Sequence, residues 1–413
     1  MPLSAQLQKQ ADSGDAEAQS NLGVIHRNGE GVPKDAAKAV EWFQKAAVQG
    51  HAYAQFILGV MYANGEGVPK DAAEAVKWYK RAADQGFALA QSHLGFMYHT
   101  GEGVPEDAAV AVQWYKRAAD QGSAYAQSNL GVMYDTGDGV PKDAAEAVRW
   151  FKLAAAQGDA DAQYNLGDFY SSEDEEHDEE DHAEAERWYR LAAEQGHAEA
   201  QSNLGRMYST GEGVPKDSAK AVEWWQKAAV QGEVEAQHNL GSMYAIGEGV
   251  QKDSTKAIEW WQKAAVQGAA VSQSNLGLMY STGEGVPKDS AKAVEWWQKA
   301  AVQGHANAQL NLGVMYANGQ GVPTDAAKAV EWWQKAAAQG DAEAQHNLGE
   351  MYTIGRGVPK DNVLAYAWLD LAAAQTGRAE DEDYRCAITL SSAERAEATR
   401  LSSNWKIGQV LRR

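Results

Sequence analysis

The amino-acid sequence predicts an all-α solenoid in which ten helix-turn-helix repeats stack side by side. The first observation is a leucine-glycine pair that recurs every 36 residues, with one 38-residue step between Gly167 and Gly205. Its glycines are Gly23, Gly59, Gly95, Gly131, Gly167, Gly205, Gly241, Gly277, Gly313 and Gly349. The second is a tryptophan ladder in step with it: Trp42, Trp78, Trp114, Trp150, Trp188, Trp224, Trp260, Trp296, Trp332 and Trp368. A fixed period of this length is typical of repeat architectures, because each short unit buries its apolar face only against its neighbours.

The first helix of each repeat contains the leucine-glycine pair, whose glycine is taken here as position 0. Positions −7, −5, −4, −1, 0, +2 and +3 barely vary between repeats, and at about 100° per residue they share one arc of a helix. Positions −6, −3, +1 and +4 vary freely and cluster on the opposite arc. We therefore expect the first arc to pack and the second to face solvent. A glycine inside a helix costs about 1 kcal/mol relative to alanine, so its recurrence predicts a close approach between helices.

The turn and the second helix follow in each unit, as residues 51–86 illustrate. Gly65 is expected to end the first helix in the left-handed conformation, and Asp71 to cap the amino end of the second helix. The apolar residues of that second helix recur at helical spacing: Ala75, Val76, Trp78, Tyr79, Ala82 and Ala83.

The two ends of the chain depart from the repeat. Residues 1–14 are interpreted as an amino-terminal cap, a partial helix, and residues 15–376 as the ten repeats. Residues 377–413 are expected to form capping helices, with a capping box from Ser391 to Glu394 before a helix that runs to about Trp405. The last residues are basic and are interpreted as a solvated tail: Arg400, Lys406, Arg412 and Arg413.

The repeat motif resembles that of the Sel1-like repeat family, a relative of the tetratricopeptide repeats. The matching pattern is Ala-x-Ala-Gln-x-x-Leu-Gly-x-Met-Tyr, then Gly-x-Gly-Val, then Ala-x-x-Trp-x-x-x-Ala-Ala, and it covers almost the whole chain. The resemblance implies a right-handed superhelix with the first helices on the concave side. It also implies a non-catalytic scaffold or adaptor that binds a protein or peptide.

An alternative is a cell-envelope hydrolase or enzyme accessory, because some members of this family have been described as β-lactam-binding. Those members carry a disulfide in each repeat, whereas this chain has a single cysteine, Cys386. Its one Ser-x-x-Lys motif, from Ser403 to Lys406, lacks the companion motifs of penicillin-recognising enzymes. The sequence therefore favours the scaffold, with no enzymatic activity and no cofactor.

Composition and charge narrow the choice of partner and compartment. The formal net charge is −20, with 57 acidic and 37 basic side chains, which disfavours nucleic acid and anionic membranes as partners. The amino terminus has no apolar signal-peptide core, and no segment reaches the roughly 18 apolar residues of a membrane span. We expect a cytoplasmic protein.

Three features suggest a ligand or metal site but have simpler interpretations. Of the 15 tryptophans, 14 occupy core positions of second helices, and the ten histidines form no metal-ligand spacing. The acidic segment 173–181 replaces the Gly-Val-Pro turn of the fifth repeat, and its carboxylates are a weak candidate for calcium. Without a shaping glycine, such a charge run is more typical of a solvated loop, so no metal is predicted.

The variable arc of the first helices is the expected binding surface. In repeats two to four it is apolar, and the predicted partner-binding residues are Tyr53, Phe56, Val60, Leu89, His93, Phe96, Tyr125 and Val132. Asparagine recurs at position −2, at the border of that arc: Asn129, Asn165, Asn203, Asn239, Asn275, Asn311 and Asn347. This ladder either holds a peptide backbone or ties each repeat to the next, and the sequence leaves both open. Self-association through the aromatic-rich repeats is a third possibility.

Overall fold

The computed structural model describes residues 5–172, 179–377 and 385–412, and the regular secondary structure there is α-helical, as predicted. The first helices of the ten repeats are α2 (Ala16–Asn28), α4 (Ala52–Asn64), α6 (Ala88–Thr100), α8 (Ala124–Thr136), α10 (Ala160–Ser171), α12 (Ala198–Thr210), α14 (Val234–Ile246), α16 (Ala270–Thr282), α18 (Ala306–Asn318) and α20 (Ala342–Ile354). The second helices are α3 (Ala36–Val48), α5 (Ala72–Asp84), α7 (Ala108–Asp120), α9 (Ala144–Ala155), α11 (Glu179–Glu194), α13 (Ser218–Val230), α15 (Ser254–Val266), α17 (Ser290–Val302), α19 (Ala326–Ala338) and α21 (Asn362–Thr376). Two end helices are α1 (Ala5–Asp12) and α22 (Ser392–Asn404).

The helices belong to two units, Met1–Ala200 and Gln201–Arg413. Within each unit every helix packs against the next one in the chain, from α1 to α11 in the first unit and from α13 to α22 in the second. First helices of consecutive repeats also touch, as α6 does with α8 and α16 with α18. Each repeat is therefore stabilised by its immediate neighbours, as expected of a solenoid.

The turn between the two helices has the geometry that its sequence predicts. Gly65 ends α4 with a φ of 71°, in the left-handed region. The Asp71 carboxylate accepts a hydrogen bond from the Glu74 N–H at 3.0 Å and so caps α5. The Asp71 N–H donates to the carbonyl oxygen of Tyr62 at 2.9 Å, which closes the turn against the end of α4.

The second glycine of the turn has a separate role, in the contact between repeats. Gly67 has a φ of 73°, and a Cβ atom added there would overlap the carbonyl group of Ala36. Ala36 is the first residue of the second helix in the preceding repeat. The turn of one repeat therefore rests directly on the helix start of the repeat before it, which only glycine permits.

The glycine at position 0 lies against one side chain of the second helix in every repeat. A Cβ atom added at Gly59 would lie 2.5 Å from the ring of Tyr79, far inside van der Waals contact. The partners in the ten repeats are Phe43, Tyr79, Tyr115, Phe151, Tyr189, Trp225, Trp261, Trp297, Trp333 and Leu369. The predicted close approach is confirmed, and its partner in nine of the ten repeats is an aromatic ring.

A buried glutamine relay ties neighbouring repeats together. The Gln127 side chain, at position −4 of α8, donates to the Ala119 carbonyl oxygen of the preceding second helix at 3.1 Å. Its own amide oxygen accepts from Gln157, at the end of the same repeat, at 2.7 Å. The same two bonds occur in most other repeats, for example at Gln55 and Gln309. Because these glutamines are buried, the hydrogen bonds offset the cost of removing their amides from water.

The amino-terminal cap takes the place of a second helix. The carbonyl oxygen of Ala11, in α1, accepts from the Gln19 amide at 3.0 Å, as the carbonyl at the end of each second helix does in the repeats. Ala11 itself is buried against the first repeat. Residues 5–12 therefore close this end of the first unit with the same relay.

The carboxyl-terminal cap is anchored to the last repeat by one aspartate. The predicted capping box is present, with Ser391 and Glu394 each bonded to the backbone of the other, and it opens α22. From α21, Asp370 accepts a hydrogen bond from Ser402 at 2.6 Å and pairs with Arg385. The cap is thus held by charge-assisted bonds as well as by apolar packing.

The basic carboxyl-terminal segment is docked rather than free. The Gly408 N–H donates to the carbonyl oxygen of Ala338, at the end of α19, at 2.6 Å. Leu411 is buried in the core of the last repeats. The interpretation of this segment as a solvated tail is therefore wrong for residues 408–411, because a leucine within the basic run packs into the core.

Substituting Gly59 with alanine tests the glycine–aromatic contact, because the contact and helix propensity predict opposite changes in the free energy of unfolding. Alanine is the better helix former by about 1 kcal/mol, so helix propensity alone would stabilise the protein. The Tyr79 ring is buried beside Phe56 and His93 and has little room to move. Overpacking should therefore destabilise the protein by about 1–3 kcal/mol. Chemical denaturation of the two proteins measures the difference. A more stable variant would show that this contact does not limit the repeat.

Replacing Gln127 with methionine tests the glutamine relay. The variant keeps the side-chain volume but removes both hydrogen bonds, so we expect a loss of about 1–2 kcal/mol in unfolding free energy. Asn129→Ala is the matched control, because this half-exposed residue of the same helix bonds only to its own helix, at the Tyr125 carbonyl oxygen. The control should change stability by about 0.5 kcal/mol or less. Equal effects of the two substitutions would refute the relay as the tie between repeats.

Candidate functional site

Positions −6 and +1 of the first helices in repeats two to four carry exposed apolar side chains. The exposed fractions are 39% for Tyr53, 51% for Leu89, 38% for Phe96 and 47% for Tyr125. At about 100° per residue these two positions are only about 20° apart, so their side chains share one face of each helix. Val60, Val132 and His93 are half-buried beside them. The set Tyr53, Leu89, Phe96 and Tyr125 is called the apolar strip below.

In repeats two to four, position −3 does not belong to the exposed arc, and the expectation that Phe56 faces solvent is wrong. Phe56 is 7% exposed, and its ring centroid lies 5.9 Å from that of Tyr79 and 5.3 Å from that of Phe87. In the next repeat, the buried Ser92 lies 3.0 Å from the hydroxyl of Ser123. The reason is geometric: position −3 is about 60° from the glycine, at the edge of the arc, where it meets the amino end of the next first helix.

Phe87 is a member of this surface that the sequence reasoning missed. It stands at the N-cap of α6, where most repeats have a residue whose side chain caps the helix, such as Ser123 in α8. Phe87 makes no such bond, and losing a cap costs about 1 kcal/mol. Its ring instead packs edge-on against Tyr53 at 6.4 Å between centroids, and tilted against Phe56. The apolar residue at a capping position was the available sequence clue.

A cleft of about 320 Å³ opens at the centre of the apolar strip, lined by His93, Phe96 and Tyr125. Partial burial raises the pKa of the Tyr125 phenol. The lining is apolar apart from this hydroxyl and the imidazole of His93. It is large enough to accept one side chain of a partner.

Carboxylates flank the apolar strip along the row of −6 positions. Glu17 in the first repeat and Asp161 in the fifth are both exposed, on either side of Tyr53, Leu89 and Tyr125. The helices α4, α6 and α8, which carry the strip, contain no lysine or arginine. Arg27, at the end of α2, makes three hydrogen bonds to the Glu66 carboxylate. The row of −6 positions is therefore acidic at both ends of the strip.

The asparagines at position −2 are half-exposed at the border of the same face. Asn129 donates to the Tyr125 carbonyl oxygen at 2.7 Å, and Asn311 donates to the Asn307 carbonyl oxygen at 2.8 Å. Both bonds lie within one helix. In these two repeats the asparagine therefore does not tie one repeat to the next. The buried glutamines make that connection.

The tryptophans are core residues, as predicted. The second tryptophan of each Trp-Trp pair is buried: Trp225, Trp261, Trp297 and Trp333. In the same repeats the first tryptophan is half-buried and covered by a lysine, as Trp224 is by Lys227 at 3.7 Å. These rings are packed into the helix pairs, and they do not form an open aromatic cage.

The remaining candidates for chemistry are the acidic segment, a metal-binding cluster and the Ser-x-x-Lys motif. Most of the acidic segment 173–181 lies outside the described residues, so its interpretation stays a prediction. Among the residues that the structure describes, no group of three histidine, cysteine or carboxylate side chains could hold a metal ion. In the same ranges no helix is long and apolar enough to span a membrane. Ser403 and Lys406 are both exposed at the end of the terminal cap.

A family model and solved structures of repeat proteins match the chain. The Sel1 repeat model matches ten segments: 16–51, 52–87, 88–123, 124–159, 160–197, 198–233, 234–268, 270–305, 306–341 and 342–376. The chain is similar to c5321, a protective antigen of uropathogenic Escherichia coli with an SLR fold, at 37% identity and a TM-score of 0.64 over 97% of this chain and 93% of that one. It is also similar to a Sel1 repeat protein of Oxalobacter formigenes, at 36% identity and a TM-score of 0.57 over 80% and 93% of the two chains.

No curated protein sequence matches the chain. The ten matched segments nevertheless span almost its whole length, and each begins at the first residue of a first helix. The glycine–aromatic contact, the glycine turn and the paired helices recur in the same register as these segments. The chain belongs to the Sel1 repeat family.

Proposed function

We propose that this protein is a non-catalytic scaffold that binds a peptide or a partner domain on the first-helix face of repeats two to four. The observation that carries the proposal is the apolar strip around the cleft at His93. Exposed apolar side chains on adjacent helices are typical of protein-interaction sites, and Sel1 repeats are typically protein-interaction modules.

The size of the apolar strip indicates what binding strength it supports. Fully burying a large apolar side chain contributes about 1.5–3 kcal/mol, and the strip residues are already roughly half-covered. Four such side chains together offset only the lower part of the roughly 4–15 kcal/mol that association costs. Polar contacts must therefore add to the apolar ones. The half-exposed asparagines beside the strip, among them Asn129 and Asn165, are placed to contact a peptide backbone.

The absence of a side-chain helix cap at Phe87 also supports a binding role. A capping residue there would stabilise α6 by about 1 kcal/mol, as Ser123 does for α8. An aromatic ring at this position instead extends the apolar surface from Tyr53 toward Leu89. Natural proteins often give up stability of this size at functional sites.

The double variant Leu89→Ser/Phe96→Ser separates a binding surface from a packed core. The probe is a set of peptides selected on the full-length protein from a random displayed library. We expect the variant to bind these peptides at least about tenfold more weakly, because two anchors are lost. Its melting temperature should stay close to that of the parent, since both side chains are exposed.

Phe56→Ser is the matched control, because Phe56 lies beneath the apolar strip and is buried. Truncating a buried phenylalanine costs about 3–5 kcal/mol, so this variant should melt at a clearly lower temperature. A large loss of stability in Leu89→Ser/Phe96→Ser, or unchanged peptide affinity, would contradict the proposal. Concentration-dependent dimers that the double variant abolishes would identify a second copy of this chain as the occupant instead.

A further inference from the structure

Repeats six and eight are near-copies whose few differences are confined to the first helix and its N-cap. Residues 197–232 and 269–304 differ at only four of 36 positions. The four differences, in the order repeat six to repeat eight, are His197 to Ala269, Glu199 to Val271, Ala200 to Ser272 and Arg206 to Leu278. All four lie in the first helix or at its N-cap, and the second helices are identical.

Three of these differences replace a polar side chain with an apolar one, and each removes an interaction. In repeat six, the His197 ring accepts from a backbone N–H at the start of the helix, and Arg206 pairs with Glu212 at 3.0 Å. In repeat eight, Ala269 makes no side-chain cap, and Leu278 replaces the arginine. Val271 and Leu278 are 48% and 49% exposed. The repeat therefore exposes hydrocarbon at positions −6 and +1, where its near-copy carries charge.

Repeat nine extends the same apolar surface. Leu310 at position −3 and Val314 at position +1 of α18 are half-buried and apolar. With Val271 and Leu278 they form a second patch, confined to the unit Gln201–Arg413. Flanking repeats are polar at the same positions, with Ser242 in repeat seven and a glutamate in repeat ten.

The first helices around this second patch carry carboxylates and neither lysine nor arginine. The four helices α14, α16, α18 and α20 contain no lysine or arginine. Their carboxylates lie on both sides of the patch: Glu235 precedes it in repeat seven, and Glu343 and Glu350 follow it in repeat ten. The arginine in the turn after α20, Arg356, donates to the Ala317 carbonyl oxygen at the end of α18.

We infer that Val271, Leu278, Leu310 and Val314 form a second docking site, for a peptide segment with aliphatic side chains next to lysine or arginine. The exposed hydrocarbon provides the apolar contact, and the glutamates on either side favour a basic flank. The site rests on a different unit and on different residues from the apolar strip. With both, the chain would join two partner segments.

The variant Val271→Glu/Leu278→Arg tests this site with residues that the fold already accepts, because repeat six carries them at the same positions. The probe is again a set of peptides selected on the full-length protein from a random displayed library. We expect one class of peptides to bind this variant at least about tenfold more weakly and to bind Leu89→Ser/Phe96→Ser as well as the parent. That class should carry leucine, isoleucine or valine beside lysine or arginine.

Two controls complete the experiment. Glu199→Val/Arg206→Leu, which makes the reverse exchange in repeat six, should leave the affinity of this class unchanged. Replacing the basic residues of a selected peptide with glutamate should weaken its binding to the parent protein.

The inference is overturned if no selected peptide depends on Val271 and Leu278, or if the dependent peptides are acidic. Dimers of the parent protein that Val271→Glu/Leu278→Arg abolishes would also overturn it, because a second copy would then occupy the patch. None of these outcomes depends on whether the apolar strip binds a partner. The Leu89→Ser/Phe96→Ser variant reports on that surface alone.

Discussion

The contact between the glycine at position 0 and the aromatic ring of the second helix is the constraint on which the rest of each repeat depends. At Gly59 the Tyr79 ring lies where a Cβ atom would otherwise stand, so the two helices approach more closely than any other residue would allow. A glycine in a helix costs about 1 kcal/mol relative to alanine, whereas a buried aromatic ring stabilises the core. Together they fix how the first helix is rotated against the second, and that rotation decides which positions are buried.

Positions −6 and +1, which vary freely between repeats, lie on the face that this rotation leaves open. The turn glycine Gly67 and the glutamine relay then fix each repeat against the previous one, through contacts with the ends of its second helix. Because the packing of the two helices in a repeat and the stacking of repeats are both fixed, positions −6 and +1 can change without affecting the core. The exposed side chains of Phe96 and Leu278, in two different units, occupy that same position +1. Under the proposed function, a few substitutions at these positions set what the scaffold binds.

Much of this could be predicted from one sequence because the repeats act as their own alignment. The period, the glycine that ends α4 and the Asp71 cap follow from local rules of helix and turn geometry. The misplaced residue, Phe56, lies at the edge of the variable arc, where burial depends on how the next repeat stacks. Phe87 and the glutamine relay were missed for the same reason, since their partners are about 30 residues away and only the stacking brings them together.

Hydroxyl-radical footprinting of the free protein, read by mass spectrometry, tests most directly whether the glycine–aromatic contact divides each repeat into a packed and an open face. The account predicts rapid oxidation of Phe96 and Tyr125 and protection of Phe56 and Tyr115, although all four are aromatic residues of repeats two to four. Comparable oxidation of the two pairs, or protection of Phe96 and Tyr125, would contradict it.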